Sequence, residues 1–404
     1  MKFIDGGVCA PQGFKASGVH CGIRKNKTKR DLALIVSDVL ANAAAVYTQN
    51  LVKGAPLTVT KNNLTDGKAQ AVICNSGNAN TCNANGIEIA ESMCALVEKA
   101  TKIKASDVIV ASTGVIGQPL DITPIANGMN ALTSELSYDG SERANQAIMT
   151  TDTIEKTVAV SFTVGGKECK IGGIAKGSGM IHPNMATMLV FLTCDAAISA
   201  EMLQKAISDD VKTSFNMVSV DGDTSTNDML SIMANGLAGN EEITTENADY
   251  EQFCIALHAV TSKLCKLIAK DGEGATKLLE CTASGASDYI TAATVAKSVI
   301  TSSLFKAAMF GADANWGRVL CAVGYSGASV DVDKVGVSFS SKKGEITVCV
   351  NGKGVDFSEE KAKEILLEDE IHIEVTLGSG NESATAWGCD LTYDYVKING
   401  DYRT

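Results

Sequence analysis

Proline, histidine and charged side chains are all scarce in this sequence. Its 404 residues include 5 prolines, 4 histidines and 20% charged side chains, against 37 glycines and 45% hydrophobic residues. That hydrophobic share excludes a largely disordered chain, because it supplies enough apolar surface for large cores. Few prolines and many glycines indicate tight turns between strands and helices rather than extended linkers. The length suits two or three domains.

Metal sites and disulfides both lack the residues that they need. The four histidines, at positions 20, 182, 258 and 372, offer no zinc-ligand spacing, so no metal is expected. The 13 cysteines form no Cys-x-x-Cys pair and are odd in number. This favours free, mostly buried thiols over disulfides, and such thiols are typical of a reducing compartment. We therefore expect a cytoplasmic protein.

An export signal, a membrane span and a basic face are missing too. Lys2 and Asp5 stand where the apolar stretch of a secretory signal would begin. The longest aliphatic runs, such as 188–192, are too short to cross a bilayer. The formal charge is −12, and lysines and arginines are dispersed apart from a short stretch at 24–30. Neither a membrane nor a nucleic acid is therefore expected as a partner.

Short β-type runs alternate with helical stretches through most of the sequence, which predicts an α/β fold. Strands are predicted over 31–37, 69–74, 108–112, 157–164, 188–192 and 369–377. Helical spacing is found over 86–102, 250–270, 298–310 and 359–367. A hairpin is predicted from 335–339 and 345–350 around the turn Lys342-Lys343-Gly344. Hairpin-rich sequence then dominates, so a domain boundary is predicted between 275 and 290.

The segment 176–192, KGSGMIHPNMATMLVFL, has the pattern that self-cleavage needs. A glycine-rich stretch leads into Thr187, whose hydroxyl can attack the carbonyl carbon of Ala186 and form an ester that water then cuts. The freed α-amino group titrates at about 7.7–8.0, which suits a general base at neutral pH. Nucleophile and base would then share one residue. On local features alone, however, a threonine beside a strand is more often a plain β-former.

The same segment closely resembles the cleavage site of the ornithine acetyltransferase family (the glutamate N-acetyltransferases), whose second chain begins at the threonine of an ATML motif. Other segments resemble family blocks in the family's order and together span nearly the whole chain. They are NSGNANTCNANG at 75–86, ASTGVIG at 111–117, TTDT at 150–153, SVDGDTSTND at 219–228, DGEGATK at 271–277, GADANWGR at 311–318 and YVKINGDYRT at 395–404.

The resemblance implies a layered αββα sandwich, shared with self-processing aminopeptidase relatives, plus a smaller C-terminal α/β domain. On this chain the layered catalytic region would be 1–280, cut between 186 and 187. The smaller domain would be 281–404, with a tail that returns to the active site. Two chains, 1–186 and 187–404, would stay together and pair further into an α2β2 heterotetramer.

The resemblance also implies the roles of individual residues. Thr187 would be the nucleophile, and Thr113 and Gly114 of the STGVIG motif would form the oxyanion hole. Substrate contacts would come from Thr153, Lys176, Thr187, Glu273, Asn399 and Thr404. A lysine suits a substrate carboxylate, and a glutamate suits an amine or a proton transfer. The separate roles of Lys176 and Glu273 stay open.

The reaction that the resemblance implies is a ping-pong transfer of acetyl from N-acetylornithine to glutamate, without a cofactor, in arginine biosynthesis. Some family members also accept acetyl-CoA and make N-acetylglutamate from it, and the sequence leaves open whether this chain does. Two other hypotheses remain. An N-terminal-threonine hydrolase or peptidase of the same fold would pass its acyl group to water. A non-catalytic binding protein would stay uncut.

Two polar segments that contribute to the resemblance have no residue role assigned by it. Asp221, Asp223 and Asp228 suggest a calcium loop, but Thr226 and Ile232 occupy the positions where an EF-hand needs glycine and glutamate. A turn that borders the active site is the favoured interpretation. The asparagine-rich segment 75–86 fits a backbone nest near the site, and it fits a purely structural loop equally well.

Overall fold

The computed structural model describes residues 1–182 and 188–401. Its strands are β1 (Lys2–Ile4), β2 (Phe14–Val19), β3 (Leu32–Tyr47), β4 (Lys68–Asn78), β5 (Val108–Val115), β6 (Lys156–Val164), β7 (Lys167–Lys176), β8 (Leu189–Cys194), β9 (Val218–Ser219), β10 (Met229–Ala234), β11 (Leu278–Ala286), β12 (Gly336–Ser341), β13 (Gly344–Val350), β14 (Lys353–Gly354), β15 (Glu370–Thr376) and β16 (Glu382–Cys389). Its α-helices are α1 (Ala55–Asn63), α2 (Gly86–Thr101), α3 (Ile122–Ser134), α4 (Ser141–Ile148), α5 (Ala200–Thr213), α6 (Ala248–Lys270), α7 (Tyr289–Thr301), α8 (Ser303–Phe310), α9 (Trp316–Gly324), α10 (Glu359–Leu366) and α11 (Tyr393–Gly400).

The first sheet has the strand order β1-β6-β7-β8-β10-β3-β4-β5, with β2 paired to β3. The long strand β3 joins its two halves. Residues 32–36 of β3 pair with β2 and β4, and residues 42–47 pair with β10. Between them the register with β4 shifts, from Val36 to Ala41. Such an irregularity bends a strand, so β3 carries the chain from one layer of the sheet to the other.

Side-chain alternation shows that the two halves of this sheet face each other. Ile109 and Ala111 of β5 lie in the same buried cluster as Leu189 and Phe191 of β8. The intervening residues of β5 pack against α2 and α3, and those of β8 pack against α5 and α6. A period of two along each strand thus gives each half one inner and one outer face. The layers are helix, sheet, sheet and helix, so the predicted αββα sandwich is confirmed.

The second sheet has the order β14-β13-β12-β15-β11-β16-β9. Helix α7 packs on β11 and β16, and α6 contacts both this sheet and strands β6 and β7 of the first. By length and composition the 23-residue α6 would be able to cross a membrane, but half of that stretch is buried, as in a core helix. Strand β9 comes from well before residue 280, and one buried cluster runs through both sheets. The domain division at residue 280 stays a prediction.

Most predicted elements are present with shifted ends. The helix at 86–102 is α2, and the hairpin at 335–350 is β12 with β13. The helical stretch 298–310, however, is split between α7 and α8. Ser302 has extended backbone angles, and its hydroxyl accepts a hydrogen bond from the Phe305 N–H at 3.3 Å. Ser302 therefore begins a new helix as its N-cap instead of continuing the old one.

Candidate active site

A cavity of about 290 Å³ opens where strands β5 and β7 end. Its walls come from both described parts of the chain, because the loop before β10, the turn after α6 and helix α11 close it. The lining residues are Ala79, Thr113, Gly114, Val115, Ile116, Thr150, Thr151, Lys176, Gly179, Met180, Ile181, Ser225, Thr226, Asn227, Asp228, Glu273 and Asn399. The cavity thus gathers five residues from the predicted site, namely Thr113, Gly114, Lys176, Glu273 and Asn399.

The turn at Thr113 and Gly114 is shaped by its close approach to β4. Gly114 has φ +131°, and a Cβ atom there would lie 2.5 Å from the backbone nitrogen of Asn78 and overlap Gly77. Only glycine fits such a position. Directly before the turn, the Ser112 hydroxyl donates to Oδ1 of Asn75 at 2.6 Å. Thr113 is 7% exposed and faces the cavity.

The asparagine-rich segment serves this turn as a structural loop. Nδ2 of Asn75 donates to the Asn78 carbonyl at 2.9 Å, and Nδ2 of Asn78 donates to the Gln118 carbonyl at 3.0 Å. Nδ2 of Asn80 reaches the Gly86 carbonyl at 2.8 Å. These side chains satisfy backbone carbonyls of their own loop and of the segment after β5. Of the two interpretations of residues 75–86, the contacts favour the structural loop.

A buried ion network supports the end of β7, where Lys176 lies. The Lys156 ammonium is fully buried between Asp152, at 2.7 Å, and Asp271, at 2.5 Å. Asp152 also accepts a hydrogen bond from the Gly177 N–H at 2.7 Å. Burial by itself would raise the pKa of the Asp152 carboxyl, but the charges of Lys156 and Lys176 outweigh it and hold that pKa at about 2. Asp152 is therefore charged at neutral pH, and it fixes the backbone beside Lys176.

Thr153 does not line the cavity. Its N–H donates to both oxygens of Asp271, at 3.1 and 3.2 Å, and its hydroxyl donates to the same carboxylate. It faces a separate surface cleft that is also lined by Arg24 and Arg30. The ion network therefore lies between Thr153 and Lys176. Thr153 contacts Asp271 at one end of the network, and Asp152 at the other end binds the backbone next to Lys176.

Glu273 and Asn399 meet at the opposite wall of the cavity. Nδ2 of Asn399 donates to Oε2 of Glu273 at 2.7 Å. The Glu273 backbone N–H donates to the Ser178 carbonyl at 2.8 Å, so the glutamate is tied to the segment after Lys176. Glu273 is 8% exposed. A Cβ atom on Gly179 would lie within 2.5 Å of the Glu273 carboxylate, so the missing side chain makes room for that group.

Met180 and Ile181, just before 183–187, line this cavity, and Met188, just after it, packs close to them. A Cβ atom on Gly177 would be 2.9 Å from Ile181 and 3.3 Å from Met188. The Asp221 carboxylate caps the backbone N–H groups of Met180 and Ile181, at 2.6 and 2.9 Å. Asp221 thus belongs to a turn bordering the site. The predicted residues Ala186, Thr187 and Thr404 lie outside the described residues.

Asn227 and Asp228 also line the cavity, and the sequence assigned neither of them a role in it. Nδ2 of Asn227 donates to the carbonyl oxygens of Ala79 and Ser112, at 2.6 and 3.0 Å. Asp228, next in the chain, is 3% exposed and lines the cavity. The available signal was two polar residues directly before the apolar strand β10, but such a pair is common at strand ends.

Comparisons with known proteins show the family to which the chain belongs. The ArgJ family model matches residues 15–404. The chain is 51% identical over 405 residues to the arginine biosynthesis bifunctional protein ArgJ of Caldanaerobacter subterraneus subsp. tengcongensis, covering 100% of both chains. It is 52% identical over 392 residues to ArgJ 1 of Clostridium acetobutylicum, covering 97% of this chain and 96% of that protein. The chain belongs to the ArgJ family.

A solved structure supports the same assignment. The crystal structure of the arginine biosynthesis bifunctional protein ArgJ from Bacillus halodurans is 46% identical, with a TM-score of 0.50. The match covers 53% of this chain and 98% of that one. Membership of the ArgJ family makes the chain an enzyme of arginine biosynthesis and an acyltransferase. The resemblance first read from its motifs is confirmed.

Proposed function

We propose that this ArgJ family member cuts itself between Ala186 and Thr187 and then transfers acetyl from N-acetylornithine to glutamate through an acetyl ester on Thr187. One observation carries the proposal. The cavity that holds Thr113, Gly114, Lys176 and Glu273 is also lined by Met180 and Ile181, just before 183–187, and Met188, directly after that segment, lies beside Gly177. A nucleophile from that segment and donors for an oxyanion would therefore meet at one place.

In the proposed cut, the Thr187 hydroxyl adds to the Ala186 carbonyl carbon and the peptide nitrogen leaves. The resulting ester is hydrolysed by water. The products are a carboxylate at Ala186 and a free α-amino group at Thr187. That amine, with an ordinary pKa of about 7.7–8.0, can accept the proton of its own hydroxyl. The threonine is thereby activated without help from a metal or a cofactor.

In the first half-reaction, Oγ of Thr187 attacks the acetyl carbonyl carbon of N-acetylornithine. The bond to the leaving nitrogen breaks, the proton taken from Thr187 passes to that nitrogen, and ornithine departs. In the second half-reaction, the amine of glutamate attacks the carbonyl carbon of the ester and the bond from that carbon to Oγ of Thr187 breaks. A proton from the amine passes to Oγ, and N-acetylglutamate leaves. Each step passes through a tetrahedral oxyanion. The Thr113 hydroxyl and the Gly114 N–H, held at the end of β5, are the donors proposed to stabilise it.

Charge in the cavity supports an amino acid as the substrate. Lys176 offers a cation to a carboxylate, and Glu273, held by Asn399, offers an anion to the ornithine side-chain amine. The relatives are named bifunctional, which favours a second acetyl donor, and acetyl-CoA is the one that the resemblance implies. Thr153 and Thr404 as substrate contacts, the α2β2 assembly of chains 1–186 and 187–404, and the cytoplasmic location belong to the same proposal.

Intact mass under denaturing conditions, after brief incubation with N-acetylornithine, tests the proposal. We expect two masses that break between Ala186 and Thr187, with one acetyl group on the chain 187–404. Thr187→Ala should remain whole and inactive. A cut and active alanine variant would overturn the proposal. Rapid loss of acetyl to water, without an acceptor amino acid, would instead identify a hydrolase.

A further inference from the structure

Asp228 is a buried carboxyl whose surroundings leave one oxygen without a partner. It ends the loop that begins at Asp221 and directly precedes β10, and its side chain lines the cavity. Only 3% of the residue is exposed. Its Oδ2 has no hydrogen-bond partner among the residues that the structure describes. An unsatisfied buried oxygen is costly, so its persistence beside a cavity indicates a ligand that completes it.

The backbone places Asp228 beside the start of β8. Strands β8 and β10 are parallel neighbours with Leu189 opposite Met229, and the Met229 N–H donates to the Met188 carbonyl at 2.9 Å. Asp228 is therefore level with Met188, at the mouth of the two central strands. A group bound there would lie between the Lys176 end of β7 and the turn at Thr113.

Two buried carboxyls near Lys176 have opposite environments. Asp152 has the Lys156 ammonium at 2.7 Å, and its pKa is about 2. Asp228 makes no ion pair with the residues that the structure describes, and its burial raises its pKa well above the usual range, although the charge of Lys176 and hydrogen bonds from Ser225 act in the opposite direction. Asp228 therefore keeps its proton at a pH where Asp152 has lost it, and a protonated carboxyl can donate a hydrogen bond.

Among the described residues, no titratable group pairs with Asp228 as the Lys156 ammonium pairs with Asp152. Lys176 and Glu273 are the other charged side chains that line the same cavity in the described chain. On the neighbouring strands, burial raises the pKa values of the Tyr47 phenol and the Cys74 thiol, so both are uncharged at neutral pH. Lys176 thus supplies a positive charge, and Asp228 supplies a neutral donor next to it.

We infer that Asp228 is a further substrate-binding residue, whose carboxyl donates a hydrogen bond to the α-carboxylate of the amino acid that Lys176 attracts. A cation and a neutral donor side by side match the two oxygens of a carboxylate, whereas an ionised Asp228 would repel it. The inference rests on the proposed function for its substrate class. It predicts that affinity for the amino acid falls as Asp228 ionises at high pH.

The test measures the binding of ornithine by calorimetry to processed protein, with putrescine, which lacks the carboxylate, as the matched ligand. Asp228→Ala should weaken ornithine binding by about 10–100-fold, the range expected for losing a hydrogen bond to a charged group, and leave putrescine binding within about threefold. Asp228→Asn keeps a donor that does not titrate. It should bind ornithine within about fivefold of the wild type and remove the decline in affinity at high pH.

The outcomes separate this inference from the proposed function. Equal losses for ornithine and putrescine, or an asparagine variant as weak as the alanine variant, would overturn the role of Asp228. If Asp228→Ala fails to fold, the pH dependence of ornithine binding still tests the role of Asp228. Affinity should decline at high pH in the wild type and not in Asp228→Asn, and the same decline in both would overturn the role. Failure of the proposed function has a different signature, because chain 187–404 would then carry no acetyl group while ornithine binding still distinguishes the variants.

Discussion

The side-chain amide of Asn227 donates a hydrogen bond to the carbonyl oxygen of Ser112 at 3.0 Å. Ser112 directly precedes the turn at Thr113, and Asn227 directly precedes Asp228. The side-chain oxygen Oδ1 of Asn227 accepts hydrogen bonds from the hydroxyls of Thr81 and Thr226, at 2.5 and 2.6 Å. One buried side chain thus fixes the distance between the proposed oxyanion turn and the loop that carries Asp228.

Asn227→Asp should therefore lower both stability and turnover. The new carboxylate cannot donate to the carbonyl oxygens of Ala79 and Ser112, and each unsatisfied buried group costs about 1–3 kcal/mol. We expect the free energy of unfolding in urea to fall by at least that amount and acetyl transfer to fall by about tenfold or more. Asn85→Asp, at an exposed helix N-cap, is the matched control and should change stability by less than about 0.5 kcal/mol. Wild-type stability in Asn227→Asp would contradict this role.

Thr113→Val tests the oxyanion donor without changing the shape of the side chain. Loss of one such donor typically lowers turnover by about 10²–10³-fold, and we expect a loss of that size with little change in the urea midpoint. Steady-state rates with N-acetylornithine and glutamate provide the measurement. Thr163→Val, on an exposed position of β6, should leave the rate unchanged. An unaltered rate in Thr113→Val would remove Thr113 from the chemistry.

The network of Lys156, Asp152 and Asp271 should make stability depend on acid. The folded-state pKa of Asp152 is about 2, below the ordinary value of about 3.9. The contribution of ionised Asp152 to the free energy of unfolding is therefore present above about pH 4 and is lost as the pH falls towards 2. Urea unfolding of the wild type between pH 5 and pH 2.5 should show this loss.

Lys156→Met removes the cation between the two carboxylates. It should destabilise the protein by about 3–5 kcal/mol at pH 7, because breaking a buried ion pair leaves an uncompensated charge. The acid-induced loss should also become smaller, because without Lys156 the folded-state pKa of Asp152 rises towards its unfolded value and protonation no longer favours the unfolded chain as strongly. Lys167→Met, an exposed lysine at the start of β7, provides the comparison. A Lys156→Met protein as stable as Lys167→Met would show that the network contributes little.

Gly179→Ala should disturb the substrate site through Glu273. The added methyl group would lie within 2.5 Å of the carboxylate, so Glu273 must move or the loop must shift. We expect KM for N-acetylornithine to rise by about tenfold with a smaller change in kcat. Gly324→Ala, which has open space around it in α9, is the control. If the effect acts through Glu273, combining Gly179→Ala with Glu273→Gln should be clearly less than additive.

Local sequence patterns predicted individual strands and helices but not how the layers join. The apolar run in 31–37 correctly indicates a strand, yet β3 continues to Tyr47, and small residues such as Ala43 and Ala45 are buried between the sheet halves. The register shift between Val36 and Ala41 leaves no distinctive sequence pattern. It depends on which strands pair on each side of it, and that is long-range information.

The site was predictable where a motif carried it and unpredictable where packing did. The resemblance supplied Thr113, Lys176 and Glu273, which lie around one cavity. It also supplied Thr153, which lies behind the ion network instead of in the cavity. The sequence placed Asp228 in a turn bordering the site but gave it no role, because its burial and its unpartnered oxygen arise only when its loop packs near Lys176. The sequence around an aspartate next to a strand does not show whether its carboxyl is buried or lacks a hydrogen-bond partner.

The strand order of the first sheet interleaves the sequence on either side of residues 183–187. β8 and β10, from after that segment, lie between β7 and β3, from before it. Six residue pairs join β7 to β8, and six join β10 to β3. In a protein cut at residue 186, strands of one chain would therefore lie between strands of the other. Neither chain could dissociate without breaking the central sheet and exposing its cores. The peptide bond between residues 186 and 187 would be needed only during folding, when it keeps the two segments in equal number and in the right order along the chain. Afterwards, exchange of isotope-labelled chains between cut molecules should be no faster than global unfolding.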